Sequence, residues 1–245
     1  MWLLSEKILV SESGLLEGFR DCHCHLLPGV DDGVEHVDET LRILQTWEKA
    51  GVKEVWLTPH IMEDIPNEPA DLNVRFAELQ KQYKGGITMH LAAEHMMDGL
   101  FMKRLTDDNV MPVGVDGTKL LVETSYYIPP MNMEAIIDRI KTNGYDPLLA
   151  HPERYQYMER NDFRHWKQQG VLLQLNLPSL VGAYGLEVMR KAEWLLRENM
   201  YDCCGSDTHS LEQVEFFLDG IISKKMAKKV RRMIVAAGQG ARGAH

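Results

Sequence analysis

The sequence FRDCHCHLLPGVDDG, residues 19–33, decides the fold. Residues 19–25 are a β-rich run, and a loop that contains a pair of aspartates follows. Side chains alternate between the two faces of a strand, so His23 and His25 point in one direction. A His-x-His pair alone is weak evidence for a metal site, and the rest of the chain has to supply further ligands.

The two cysteines of this stretch, Cys22 and Cys24, point to the opposite face of the predicted strand. One ion therefore cannot easily gather all four side chains, and we expect the cysteines to pack against the helical layer. Cys203 and Cys204 lie on the last predicted strand. A thiol cluster or a disulfide between the first and last strands is the alternative.

Further β-rich runs follow along the chain, and stretches with apolar residues three or four apart separate most of them. This alternation predicts parallel strands joined by crossover helices. Because the sequence has no Gly-rich dinucleotide loop and no P-loop, a distorted (β/α)7 barrel of the α/β class is favoured over an open doubly wound sheet. The predicted strands are residues 19–25, 53–58, 88–93, 119–124, 146–150, 171–175 and 201–205.

The chain has 245 residues, 44% of them hydrophobic, and its net charge is −9. These values predict one domain with a sizeable core and no nucleic-acid partner. The basic residues 223–232 are interpreted as the polar face of a helix. Without a signal-peptide pattern or an apolar run of about 18 residues, we expect a cytoplasmic protein without membrane insertion. Residues 1–18 are predicted to be an N-terminal extension, residues 19–236 the domain, and residues 237–245 a flexible tail without a clear helical pattern.

Histidine and carboxylate residues collect at the carboxyl ends of the predicted strands. In (β/α) barrels the active site is built at this face from several strands. Each residue alone has an ordinary structural explanation, but nine such residues at the ends of six strands are hard to obtain by chance. We therefore predict a metal site there. The candidate ligands are His23, His25, Asp32, His60, Glu94, Glu123, His151, Asp207 and His209.

A mixture of imidazole and carboxylate ligands without thiolate indicates a catalytic rather than a structural metal site. Nine ligands are too many for one ion and about right for three. Clustered divalent ions lower the pKa of a bridging water and neutralise charge on phosphoryl oxygens. The residues thus point to phosphoryl chemistry.

The motifs DCHCH, DDG, TPH, HPER and SDTH, with the strand-end glutamates, resemble those of the PHP (polymerase and histidinol phosphatase) superfamily. They are most similar to its branch of bacterial capsular-polysaccharide-type tyrosine phosphatases, over residues 19–210. The resemblance implies a distorted barrel with three divalent ions, commonly manganese, with Fe, Zn or Mg as alternatives. The implied ligand sets are His23, His25, Glu94 and Asp207; Glu94, Glu123 and His151; and Asp32, His60 and His209.

The reaction implied by the resemblance is hydrolysis of phosphotyrosine in proteins by a metal-activated hydroxide. The implied partner is a bacterial tyrosine kinase that acts in surface-polysaccharide export. The loop of the Cys-dependent phosphatases, C-x5-R, is absent, because no cysteine of the chain has an arginine six residues later.

Arg154 is the candidate phosphate clamp, since a guanidinium group matches phosphate geometry and relatives carry an arginine here. The alternative is a surface ion pair with Glu153 or Glu159. Asp21 shares the strand face of the histidines, and we expect it to orient a ligand rather than to bind metal.

The chain departs from the family pattern after TPH and after SDTH, where several relatives have further basic residues. Here the sequences IMEDIPNE and SLEQVEFF are acidic and apolar. Two alternative functions therefore stay open. One is a phosphatase for a small phosphomonoester such as histidinol phosphate or a sugar phosphate, and the other is a metal-binding regulatory module without turnover. The oligomeric state is not predicted.

Overall fold

The computed structural model describes residues 6–240, with side chains to residue 235, and its strands and helices alternate along the chain. The strands are β1 (Lys7–Leu9), β2 (Arg20–Cys24), β3 (Glu54–Leu57), β4 (His60–Ile61), β5 (Thr88–Leu91), β6 (Glu94–Met96), β7 (Lys119–Glu123), β8 (Asp146–Leu149), β9 (Leu172–Asn176), β10 (Cys203–Gly205) and β11 (Ile221–Ser223). The helices are α1 (Val37–Ala50), α2 (Pro69–Gln82), α3 (Phe101–Thr106), α4 (Met133–Thr142), α5 (Arg160–Gln168), α6 (Leu186–Arg197), α7 (Leu211–Leu218) and α8 (Lys224–Gly240).

Parallel strands follow one another around a curled sheet. One part has the order β2-β3-β5, and the other has the order β10-β9-β8-β7-β6-β4. A parallel bridge between Cys24 and Thr208 joins β2 to the segment after β10. The prediction of a mixed α/β fold with a parallel, barrel-like sheet is confirmed at this level, and each predicted β-rich run overlaps an observed strand.

Two of the predicted strands are interrupted just before a candidate ligand. The path of β3 stops before Pro59, which has no N–H to donate to a ladder, and resumes as β4 at His60. The path of β5 stops before Ala92 and resumes as β6 at Glu94. The resumed strands pair His60 directly with Glu94. The breaks thus place two candidate ligands side by side.

Apolar side chains form a main core between the sheet and the helices, with Trp47, Phe101 and Phe217 among its fully buried residues. A second, smaller cluster contains Leu121 and Leu148. Leu121 lies on the same strand face as Glu123, so this cluster packs beneath the candidate site. Burial of both clusters supplies the hydrophobic stabilisation of the fold.

The cysteines divide between these two clusters. Cys24 is fully buried in the main core, as predicted. For Cys22 the predicted packing against the helices is wrong, because the β2–β3 register shifts between Asp21 and Cys24, and Cys22 packs on the smaller cluster. Its Sγ lies 3.4 Å from Sγ of Cys203, and all four cysteines are free. The structure therefore contains a thiol contact between the first and last strands of the sheet.

The two ends of the described chain meet each other. β1 pairs antiparallel with β11, directly before α8. α8 extends to Gly240, and Met226, Val230 and Ile234 recur every four residues on its buried face. The tail at residues 237–245 stays a prediction. Residues 1–5 and 241–245 lie outside the described residues. Between residues 6 and 240, no helix has the length and apolar character needed to cross a membrane.

Candidate metal centre

The nine predicted ligands lie together at the carboxyl ends of the strands. Seven of them are buried, His209 is partly buried, and only Asp32 is exposed, with 65% of its side chain accessible. Their ligand atoms form overlapping groups whose members lie within 4.8 Å of one another. The groups are His25, Asp32, His60 and His209; His23, His25 and Asp207; His23, Glu94 and His151; and His60, Glu94 and Glu123.

Glu94 is the centre of the cluster. Its Oε2 lies 3.2 Å from Nε2 of His23, 3.3 Å from Nε2 of His25 and 3.2 Å from Nδ1 of His60. Its Oε1 lies 3.0 Å from Nε2 of His151. A carboxylate that faces four imidazoles through both oxygens has the geometry needed to bridge two ions.

His23 and His25 face each other through their Nε2 atoms at 3.0 Å. Nδ1 of His25 donates to Oδ2 of Asp31 at 2.8 Å, and Nδ1 of His23 donates to Oε1 of Gln174 at 3.0 Å. In the neutral imidazoles both Nε2 lone pairs then point into the same space. A cation between them removes this repulsion, so the pair fits a metal ion.

Buried polar atoms without hydrogen bonds lead to the same conclusion. His60 Nδ1, Glu94 Oε2 and Glu123 Oε1 are buried, and none has a hydrogen bond of normal geometry. Nδ1 of His60 lies 3.0 Å from Oε1 of Glu123. Buried polar atoms are almost always satisfied in proteins, so three neighbouring unsatisfied ones indicate a cation that binds among them.

The exposed edge of the cluster is formed by Asp32 and His209. Oδ1 of Asp32 lies 3.4 Å from Nε2 of His60 and 3.6 Å from Nε2 of His209. The ring of His209 stacks on that of His25 with centroids 4.0 Å apart. This edge is where solvent reaches the cluster.

Three orienting residues were not identified in the sequence. Oδ2 of Asp31 also accepts the backbone N–H of His60, and Oε1 of Gln174 also accepts that of His151. Asn176 donates to Oδ2 of Asp207 at 2.8 Å. The only sequence signal for Asp31 was its place in the DDG motif. The signal for Gln174 and Asn176 was that they are two positions apart in β9, so their side chains lie on the same face of the strand.

Asp21 lies next to the ligands, but it contacts backbone and hydroxyl groups rather than an imidazole. Its carboxylate accepts the Ser206 hydroxyl at 2.5 Å, the Ser206 N–H at 2.8 Å and the His23 N–H at 3.2 Å. Burial raises the pKa of Asp21 to about 6 in spite of these hydrogen bonds. The carboxylate therefore connects β2 to the loop that carries Asp207.

Arg154 lies beside the cluster in a fixed position. Its Nη1 donates to Oδ2 of Asp207 at 2.7 Å. Its guanidinium carbon lies 4.3 Å from the ring centroids of both Tyr126 and Tyr184. The carboxylate partner of Arg154 is thus Asp207 and neither of the glutamates named as alternatives, because Glu153 instead accepts hydrogen bonds from Asn176 and Tyr201 and Glu159 caps α5.

Two residues of the cluster have strained backbones. His151 has φ of 32° and Asp207 has φ of 51°, in the left-handed region that residues other than glycine rarely adopt. Such strain persists where the surroundings hold it, and it is concentrated at functional sites.

The pKa values of the histidines in the cluster differ according to their neighbours. Burial lowers the pKa of His23, but Glu94 and Asp207 outweigh this effect and raise it to about 9. Burial and repulsion from His25 lower the pKa of His209 to about 4. The neighbouring carboxylates thus favour the charged form of His23, whereas burial and the neighbouring imidazole favour the neutral form of His209.

The family described as "Capsular polysaccharide synthesis, CpsB/CapC" matches residues 19–238. The chain belongs to the CpsB/CapC family. It is 26% identical to the tyrosine-protein phosphatase YwqE of Bacillus subtilis (strain 168) over 202 residues, which cover 80% of this chain and 79% of YwqE. It is 25% identical to the tyrosine-protein phosphatase CpsB of Streptococcus pneumoniae over 232 residues, which cover 88% of this chain and 94% of CpsB.

A crystal structure from this family has the same fold. It is described as one of "YwqE from Bacillus subtilis and CpsB from Streptococcus pneumoniae, unique metal-dependent tyrosine phosphatases". It superposes with a TM-score of 0.77 at 21% identity and covers 91% of this chain and 92% of its own. The chain therefore has the mixed α/β fold of the CpsB/CapC family.

Proposed function

We propose that this chain is a metal-dependent phosphatase that hydrolyses phosphotyrosine in proteins. The observation that carries the proposal is the position of Arg154 directly beside a buried cluster of histidines and carboxylates. The cluster fits divalent cations, and the guanidinium fits the phosphate group. The names of the CpsB/CapC relatives support the same activity.

We assign the metal ligands to the nine clustered residues, with three ions and manganese as the proposed metal. When bound, such ions supply hydroxide near neutral pH and neutralise charge on phosphoryl oxygens. The distances support Glu94 as the shared ligand. Oε1 of Glu123 lies 3.0 Å from Nδ1 of His60, and its Oε2 lies 3.9 Å from Nε2 of His151, so Glu123 would hold a cation together with either histidine.

Arg154 binds and orients the phosphate group in this proposal. The rings of Tyr126 and Tyr184 both pack against the guanidinium, and Asp207 accepts a hydrogen bond from one of its nitrogens. The guanidinium thereby loses little side-chain freedom when the phosphate binds, and its other N–H groups are left for phosphoryl oxygens. Asn176 holds the same oxygen of Asp207 in place.

We propose that residues 19–236 form one catalytic domain of seven βα units, completed by the β1–β11 ribbon. The proposed substrate is a bacterial tyrosine kinase that acts in capsular or exopolysaccharide export, and the name of the family supports this context. The cytoplasmic location stays a prediction.

Two substrates test the proposed function. The purified protein is assayed in manganese with a phosphotyrosine peptide and with histidinol phosphate, and metal content is measured before and after chelation. We expect a higher kcat/KM for the peptide and loss of activity with loss of metal. A preference for histidinol phosphate would support the small-phosphomonoester alternative. Bound metal without hydrolysis of any aryl phosphate between about pH 6 and 9 would support a regulatory module.

A further inference from the structure

Large apolar side chains are exposed on two neighbouring loops at the edge of the metal centre. In the loop between β7 and α4, Tyr127, Ile128 and Met131 are 68%, 70% and 89% exposed. Leu100 and Met102, after the adjacent strand β6, are also exposed. Since β6 and β7 pair in parallel, the segments that follow them, including the start of α3, leave the sheet at the same end of the strands. We call these five residues the apolar rim.

The β7–α4 loop is held in its conformation. The Ser125 hydroxyl accepts the N–H of Tyr127, and the carbonyl of Tyr126 accepts the N–H of Gln156 at 2.7 Å. Pro129 and Pro130 restrict the backbone between the exposed residues. The apolar side chains are thus presented to solvent by an ordered segment, and exposed apolar groups of this kind mark binding surfaces.

The apolar rim is continuous with the phosphate-binding end of the site. Its loop begins directly after Glu123, and the ring of Tyr126 contacts Arg154 and lies 5.7 Å from the ring of His151. Four peptide units separate Tyr127 from Glu123, a span of at most about 15 Å. An extended peptide covers that distance within about four or five residues.

The neighbouring loop after β4 differs in character. Glu63, Asp64 and Glu68 are exposed there. Carboxylates at this place repel an acidic peptide segment, whereas the apolar rim attracts large apolar side chains. The edge of the site therefore presents one acidic and one apolar loop side by side.

We propose that the apolar rim binds large apolar residues next to the phosphotyrosine of an extended substrate segment. This inference rests on the proposed function and adds a substrate class to it. Burial of one or two such side chains against Tyr127, Ile128 and Met131 selects phosphotyrosine sites with apolar neighbours.

The test compares three substrates: a phosphotyrosine peptide with leucines on both sides, the same peptide with serines there, and p-nitrophenyl phosphate. The variant is Ile128→Ser with Met131→Ser, and the control is Val115→Ser, which removes a 79% exposed apolar side chain from the loop before β7, at the opposite end of the strand. Serine adds no charge, so any effect on the metal centre through its electrostatics is avoided.

We expect the wild type to prefer the leucine peptide over the serine peptide. In the double variant, the ratio of kcat/KM for the leucine peptide to that for p-nitrophenyl phosphate should fall about tenfold, since apolar burial is lost. The Val115→Ser ratio should stay at the wild-type value. Equal kcat/KM for both peptides in the wild type, or an unchanged ratio in the double variant, would overturn the inference alone. A wild type that hydrolyses neither peptide would instead overturn the proposed function.

Discussion

Arg154 is the residue whose contacts bear most directly on substrate binding. We predict that Arg154→Ala keeps its metal and lowers kcat/KM for a phosphotyrosine peptide by about 10- to 100-fold, mainly through KM. The reason is that one or two charge-assisted hydrogen bonds to phosphate are lost, at about 1.5–3 kcal/mol. Steady-state kinetics and elemental analysis of the variant measure the two effects.

The matched control for this prediction is Arg160→Ala. Arg160 also stacks on an aromatic ring, that of Trp194, but it lies on α5, away from the metal centre. Its kinetics should equal those of the wild type. Unchanged kinetics in Arg154→Ala would remove the phosphate-binding role, and loss of metal in that variant would show that Asp207 needs its arginine partner in order to bind the ion.

The cysteines and histidines that alternate over residues 22–25 should differ in their effect on metal binding. Replacing both Cys22 and Cys24 with alanine should leave the metal content intact, because neither thiol belongs to the groups of possible metal ligands. His23→Ala should lose metal, because its Nε2 contacts three other ligands. Elemental analysis measures the metal content of both variants. Loss of metal in the cysteine variant would show that the thiols are metal ligands.

At the scale of elements, the carboxyl ends of the strands were predictable because β-rich runs, and the histidines and carboxylates that follow them, are local properties of the sequence. All nine candidate ligands could be placed in this way. The break before His60 has a local signal in Pro59, but the break before Glu94 depends on how β4 pairs with β6 and could not be predicted. Gln174 and Asn176 were missed for a similar reason, because their contacts with His23 and Asp207 join residues that are distant in sequence.

The β1–β11 ribbon was also absent from the sequence-based prediction, because its strands have three residues each and are 212 or more positions apart. We predict that Ile222→Ala lowers the free energy of unfolding by about 2–4 kcal/mol, since this side chain is buried in the main core. Its neighbour Ile221 is exposed, and Ile221→Ala should change that free energy by less than about 0.5 kcal/mol. Urea unfolding measures both values, and equal effects would contradict a structural role for the ribbon.

At the scale of the whole molecule, the fold and the metal centre draw on different sources of stability. The main core consists of apolar side chains between sheet and helices and needs no cation. The metal centre concentrates buried carboxylates and imidazoles whose ordinary hydrogen bonds are incomplete. We therefore expect the protein without metal to remain folded but to be less stable than the metal-bound protein.

Thermal unfolding with and without manganese tests this division. A metal concentration about 100 times the Kd should stabilise the protein by about 2.7 kcal/mol, or roughly 5–10 °C in Tm, and chelation should reverse this while circular dichroism stays native-like. His151→Ala should lose the metal-dependent increase together with activity, because its imidazole faces Oε1 of Glu94. The control His165→Ala, on the outer helix α5, should keep both. If the metal-free protein is instead unfolded, the cations are part of the folding equilibrium itself, as in small proteins whose cores are too small to fold alone.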